Sequence, residues 1–299
     1  MASFTRAAVI GVGLIGGSLG MAMRNRRIAR EVIGVARVPE TIGAARARGA
    51  IDRGTTDPVD GVAGADLVVL ATPPELVVPM ALQVVPYLSA GAIVTDVASV
   101  KGGIVREIES ALDPGRGAAF VGGHPMAGNE GRGVEAASDE LFEGSVYLIT
   151  PTPRTDPAAA DRIATLARAL GARPMIMDPD AHDRAVARVS HLPYVVAAAL
   201  MGAAEGETAA AGPSFLGATR VAGSPVSMWA QICRFNRREI ADALRAFRGR
   251  LDRLEQALAD GADLEALLEE ARAARLKLSP QSESGLPVSR PAGSRGDRP

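Results

Sequence analysis

Three short segments carry side chains that can move a proton or hold a small acid. They are Asp96-Val97-Ala98-Ser99-Val100-Lys101-Gly102, Gly122-Gly123-His124-Pro125-Met126-Ala127-Gly128 and Ser190-His191-Leu192-Pro193. The chain has only 3 histidines, so each one is informative. His124 stands in a glycine-flanked turn after an apolar run, a poor place for an imidazole that only packs. An imidazole with an ordinary pKa near 6.5 takes a proton from a hydroxyl near neutral pH. An alcohol under oxidation must lose its O–H proton as hydride leaves carbon, and a positioned base contributes ~10²–10⁴-fold to such a step. The alternative for His124 is a hydrogen-bonding cap of its turn. His191 either lines a pocket or is a satisfied core residue. His182, in Asp180-Ala181-His182-Asp183, reads as structural.

A second signal lies at the N-terminus. Gly11-Val12-Gly13-Leu14-Ile15-Gly16 fits the G-x-G-x-x-G pattern, directly after an expected strand and at the start of an expected helix. In that context Gly11 permits a tight turn, Gly13 lets the backbone approach a pyrophosphate, and Gly16 lets helix and strand pack closely. The free N–H groups at the helix start, over Leu14 and Ile15, then face the anion. Thr72, past the apolar run Leu67–Leu70, is assigned to the same dinucleotide site. The second strand ends at Val35-Ala36-Arg37. No carboxylate stands there to hold a ribose 2′-hydroxyl, and Arg37 offers a planar fork to a 2′-phosphate. NADP is therefore expected over NAD, although Arg37 as a solvated surface residue is the other reading and NAD use stays open.

These residues need a scaffold. Ala8–Ile10, Val32–Val35, Leu67–Leu70, Ala92–Thr95, Phe120–Val121 and Val146–Ile149 read as strands, the last closing the first half. Their alternation with helical stretches, beginning with Leu14–Arg27, predicts an α/β fold with a doubly wound parallel sheet over residues 1–152. Ligands are expected beyond the carboxyl ends of its strands. Pro151, Pro153 and Pro157 mark a linker to an all-helical domain, 153–278. Within it, residues 181–205 read as a long, largely buried helix kinked at Pro193. Ile240, Leu244, Phe247, Leu251, Leu254 and Leu258 form one helical stripe, which packs inside the chain or against a second subunit. Residues 279–299, rich in Pro, Ser, Gly and Arg, are expected to be a disordered tail.

Bulk properties exclude some partners. The 299 residues are 47% hydrophobic and carry a net charge of −1. No overall basic field is present to hold nucleic acid or an anionic membrane. The apolar stretch Ala7–Met23 is shorter than the ~20 residues of a spanning helix, and Gly11, Gly13, Gly16, Gly17 and Gly20 interrupt it. Cys233 is the only cysteine, which rules out an intrachain disulfide and fits a cytoplasmic protein.

Taken in order, these segments resemble the prephenate/arogenate dehydrogenase family of tyrosine biosynthesis. The resemblance rests on residues 11–18, 96–101 and 122–128, Leu141-Phe142-Glu143-Gly144, residues 190–193 and Thr219-Arg220-Val221-Ala222, and it runs from about residue 7 to about 260. It implies an N-terminal Rossmann domain, a helical domain that forms a homodimer, and oxidative decarboxylation of a cyclohexadienol with a nicotinamide cofactor. By resemblance, His124 deprotonates the substrate hydroxyl. Ser99 contacts that hydroxyl and the nicotinamide end of the cofactor. Arg220 holds a substrate carboxylate, with an interface or surface ion pair as its other reading. Several prephenate-specific members carry a second histidine where this chain has Tyr194. That departure, with Arg37, leans toward arogenate and NADP. Read as a whole chain, the sequence carries neither a chorismate mutase domain nor a regulatory domain, so any tyrosine feedback is expected at the active site. A 6-phosphogluconate-type enzyme would need a lysine in the helical region, and none occurs from Gly102 to Leu276. A non-catalytic NADP-binding sensor would be free to lose Ser99, His124 or Arg220, and all three are present.

Overall fold

The computed structural model describes residues 3–112, 117–129 and 131–278. In chain order the sheet region runs β1 Phe4–Ile10, α1 Leu14–Asn25, β2 Ala29–Val35, α2 Pro39–Ala47, β3 Arg53–Thr55, α3 Pro58–Val62, β4 Leu67–Leu70, α4 Pro74–Val84, β5 Ile93–Asp96, α5 Gly102–Ala111, β6 Ala119–Pro125, β7 Val146–Thr150, α6 Pro157–Ala169 and β8 Arg173–Ile176. The strands form one sheet of order β3-β2-β1-β4-β5-β6-β7-β8. Neighbours from β3 to β6 are parallel, β7 runs antiparallel to β6, and β8 is parallel to β7. The strand order reverses beside β1, which puts the glycine turn at the switch point where such sheets bind dinucleotides.

Alternation along the strands builds two cores. Ala7 and Val9 of β1 join one apolar cluster with Leu19 and Met23 of α1 and with Ile163 and Leu166 of α6. Ala8 and Ile10 join another, with Val77 and Val84 of α4 and Ile104 and Ile108 of α5. Both faces are covered, so central strands such as β4 are apolar at every position.

Two expectations about boundaries are corrected. The sheet does not end at β7, and the division expected at residue 152 falls too early. α6 packs on the sheet and β8 adds an edge strand by pairing Val146–Ile149 with Arg173–Ile176. The prolines at 151, 153 and 157 mark a turn inside the sheet domain; Pro157 opens α6, where a missing N–H costs nothing. His124 is also not in a turn after a strand. It belongs to β6, paired with Leu148 of β7.

The helical region continues with α7 Pro179–Val186, a π-helical turn Ala187–His191, α8 Leu192–Ala203, α9 Pro213–Thr219, α10 Val226–Phe235, α11 Arg237–Asp260 and α12 Leu264–Leu276. By contacts the chain divides into residues 1–250 and 251–299. In the first unit, Ala187, Ile240 and Ala243 form a small core with Leu192, Val195 and Cys233. In the second, the end of α11 is followed by Asp263 in the left-handed region and by α12, which buries no residue. The break in the 181–205 stretch comes at the π-helical turn just ahead of Pro193. That stretch is not largely buried: within α8 only Ala197 is. By length and apolarity alone, residues 179–203 would suffice to cross a membrane. The expected disordered tail, residues 279–299, lies outside the described residues.

Candidate active site

The glycine turn is shaped for a dinucleotide phosphate. Gly11 has φ +98°, and a Cβ there would stand 2.5 Å from the Ala71 carbonyl oxygen. A Cβ on Gly16 would stand 1.9 Å from the Gly11 oxygen, so helix and turn touch through bare backbone. A Cβ on Gly13 would meet nothing within 4 Å among the described residues, which leaves open space over the turn. Gly13 is the N-cap of α1 and no side-chain hydrogen bond caps the helix start among the described residues; no acidic residue lies in the first turn. Leu14 and Ile15 open the helix there. Thr72 follows β4 close to Gly11, and its buried Oγ1 has no hydrogen-bond partner among the described residues. Open backbone donors, an uncapped helix start and an orphaned hydroxyl fit a nicotinamide dinucleotide. Arg37 lies past the end of β2 with an exposed side chain.

Across the switch point, the turn after β5 carries Ser99, half-buried. Lys101 and Asp96 bracket this turn, both side chains fully buried and paired Nζ to Oδ2. The Asp96 carboxylate also accepts the Ala98 N–H at 3.0 Å and the Gly123 N–H at 3.2 Å. Burial lowers the Lys101 pKa, and Asp96 opposes that shift. Gly123 must be glycine, because a Cβ would stand 2.7 Å from the Asp96 carbonyl oxygen. The glycines before His124 therefore serve strand contact.

His124 projects from β6 into a buried group of polar side chains. Its Nδ1 lies 2.9 Å from Nε2 of His182. His182 Nδ1–H donates to Asp183 Oδ1 at 2.8 Å. Asp183 further accepts the backbone N–H of Lys101 and of Gly102, each at 2.8 Å. Burial would push the Asp183 carboxyl up, but these bonds outweigh it and hold the group below the usual carboxylate range. Burial, reinforced by nearby His182, Lys101 and His191, holds the His124 imidazole well below its ordinary pKa. Burial also lowers His182, against the pull of Asp183. His124 is thus a neutral ring at physiological pH, as a base must be.

His191 is fully buried and shifted down to about 4, chiefly by burial. Asn236 Nδ2 donates to the Asp183 carbonyl at 2.8 Å and to His191 Nδ1 at 3.1 Å. That leaves His191 Nε2 with the proton. Nε2 makes no hydrogen bond of good geometry among the described residues, although the backbone of Ser99 lies close enough to favour the charged ring. Trp229 is edge-on to His191 and stacks flat on Tyr194, with ring centroids 3.9 Å apart; its buried indole N–H also lacks a partner among the described residues. An unpaired buried donor costs ~1–3 kcal/mol, which an anionic ligand would relieve.

His191 thus lies near both His124 and the backbone of Ser99, while Gly11, Gly13, Leu14, Ile15, Gly16 and Thr72 form a separate group around the glycine turn. Arg220 heads a short 3-10 turn, Arg220–Gly223, packed beside α8, with its side chain exposed. The sequence context of His182 reads as structural, and it does not single out Asp183 or Asn236. The scarcity of histidine was a usable signal for His182. Nothing local marks Asn236, which lies 53 residues from its partner Asp183.

A parallel nucleotide-type sheet with a bare glycine turn at the carboxyl end of β1, and a neutral buried imidazole near the same end of β6, defines a dinucleotide-dependent dehydrogenase. Residues 19–176 match the model of the prephenate dehydrogenase nucleotide-binding domain, and residues 178–272 that of the prephenate dehydrogenase dimerization domain. The chain belongs to the prephenate dehydrogenase family. It is 34% identical to a prephenate dehydrogenase of Bacillus subtilis over 78% of this chain, and it spans 64% of that relative's length. The structure of prephenate dehydrogenase from A. aeolicus in complex with hydroxyphenyl propionate and NAD+ superposes with a TM-score of 0.85 at 32% identity, covering 92% of this chain and 98% of that one. Arogenate dehydrogenase from Synechocystis gives 0.81 at 33%, covering 92% and 100%.

Proposed function

We propose that the chain oxidises and decarboxylates a cyclohexadienol, prephenate or arogenate, with NADP preferred over NAD and arogenate modestly preferred over prephenate. The observation that carries this reading is the neutral His124 ring in its buried setting beside the Ser99 turn. His124 Nε2 accepts the proton of the ring hydroxyl, and Ser99 contacts the same hydroxyl. His191 lines the pocket, and Arg220 takes a substrate carboxylate, for which its planar fork is suited. A bound nicotinamide dinucleotide supplies the hydride acceptor. Gly11, Gly13, Leu14, Ile15, Gly16 and Thr72 would hold it, and Ser99 would contact its nicotinamide end. Departure of the ring carboxylate as carbon dioxide leaves an aromatic ring, which makes the overall step downhill.

Arg37, just past the end of β2, where Val35-Ala36-Arg37 includes no carboxylate, supports NADP. Tyr194, lying flat on Trp229, supports arogenate because it removes the second imidazole that several prephenate-specific relatives carry. The NAD+ in the Aquifex complex favours the second reading, an NAD-dependent prephenate dehydrogenase. A homodimer through the helical domain belongs to the same proposal. Leu200 and Met201 of α8, Leu216 of α9 and Phe235 of α10 are exposed in the single chain, and a second copy would cover them.

The test is turnover of each acid with each cofactor. The highest kcat/KM is expected for arogenate with NADP. A tenfold or greater preference for NAD would reject the cofactor assignment, and turnover of neither acid would reject the activity.

A further inference from the structure

We infer that Asp183, acting through His182, fixes the tautomer of His124 so that Nε2 is bare before any substrate arrives. An ionised carboxylate only accepts hydrogen bonds. Asp183 accepts three: the N–H groups of Lys101 and Gly102, and the Nδ1–H of His182. His182 must therefore carry its proton on Nδ1. Burial keeps His182 neutral, so its Nε2 holds a lone pair. Facing that lone pair at 2.9 Å is Nδ1 of His124, which must supply the hydrogen. His124 is neutral too, so its single ring proton is spent there and Nε2 is the free acceptor.

Neighbouring groups do not compete for these positions. Lys101 Nζ is engaged by Asp96. His191 receives its hydrogen bond from Asn236 on Nδ1. The anchor also belongs to the site's frame, since the two N–H groups on Asp183 come from the start of α5, directly after the Ser99 turn. When His124 takes a proton from a hydroxyl oxygen, the new positive charge rests against His182 and the carboxylate behind it. His182 and Asp183 are positioning residues: they act on the substrate only through His124. The source of the transferred proton rests on the function proposed above; the tautomer does not.

The chain's 3 histidines make a direct test simple. Two-bond 1H–15N correlation on 15N-histidine-labelled protein near pH 7 distinguishes the tautomers. His124 and His182 are expected protonated on Nδ1, and His191 on Nε2, with assignments from His124→Asn and His182→Gln. A proton on Nε2 of His124 overturns the inference. In His182→Leu the His124 signature should be lost and kcat should fall about 100-fold, while the dinucleotide Kd stays within about threefold. His182→Gln, whose Oε1 can accept from His124, should restore part of the rate. A His182→Leu enzyme as fast as the parent overturns the inference as well. The expected tautomers in a protein that turns over neither acid would support this inference and reject the proposed activity.

Discussion

Lys101 and Asp96 face each other across the turn that presents Ser99, and neither side chain exposes any surface. A buried ion pair of this kind adds little net stability, because desolvating both charges offsets their attraction. Its effect is geometric. Asp96 also holds Ala98 and Gly123, so one carboxylate ties the Ser99 turn to the strand that bears His124.

Breaking that pair on one side should be costly. Lys101→Met leaves a buried carboxylate without its counter-charge, and a loss of about 3–5 kcal/mol is expected in urea unfolding. Adding Asp96→Asn should recover most of it. A single Lys101→Met variant as stable as the parent would show that the pair does not hold the turn.

His124→Asn should lower turnover by about 10²–10⁴-fold while dinucleotide affinity, measured by fluorescence titration, stays nearly constant. Unchanged turnover would remove His124 from the chemistry.

The two glycines of the nucleotide turn should separate folding from binding. Gly13→Ala adds a Cβ in open space, so the melting temperature should hold while dinucleotide affinity drops. Gly16→Ala drives a Cβ into the Gly11 carbonyl, and about 1–3 kcal/mol of stability should be lost with no ligand present. Equal melting temperatures for the two variants would contradict the packing role of Gly16.

Arg37→Asp should turn cofactor preference from NADP toward NAD, since a carboxylate repels a 2′-phosphate and holds ribose hydroxyls. The ratio of kcat/KM values for the two cofactors measures it; an unmoved ratio would leave Arg37 as a surface residue.

Acid should act on both activity and stability. Each buried histidine has a folded pKa below its unfolded value near 6.5. The unfolded chain then binds more protons, so this stability is complete above about pH 6.5 and is lost as pH falls through the folded values. For His191, shifted to about 4, the loss is roughly 3 kcal/mol. The acid limb of kcat/KM should lie well below pH 6.5, because His124 stays neutral there. A limb at or above 6.5 would contradict the buried setting of His124.

The alternation of strands and helices is legible along the chain, because apolar runs bounded by glycine and helical stretches are local signals. So is the glycine turn, whose steric demands are written in adjacent residues, and His124 stands out by its rarity and its neighbours. What remained depended on long-range packing. β8 could not be told from a loop, since Arg173–Ile176 is a short edge strand with three exposed residues. The exposure of α8 was equally illegible, because an apolar helix looks the same whether its own chain or another covers it. The partners of His124 and His191 come from α7 and from the residue following α10, elements far apart in the chain. A hydrogen bond between such residues has no period or spacing to reveal it, because only the packed fold sets the distance between them.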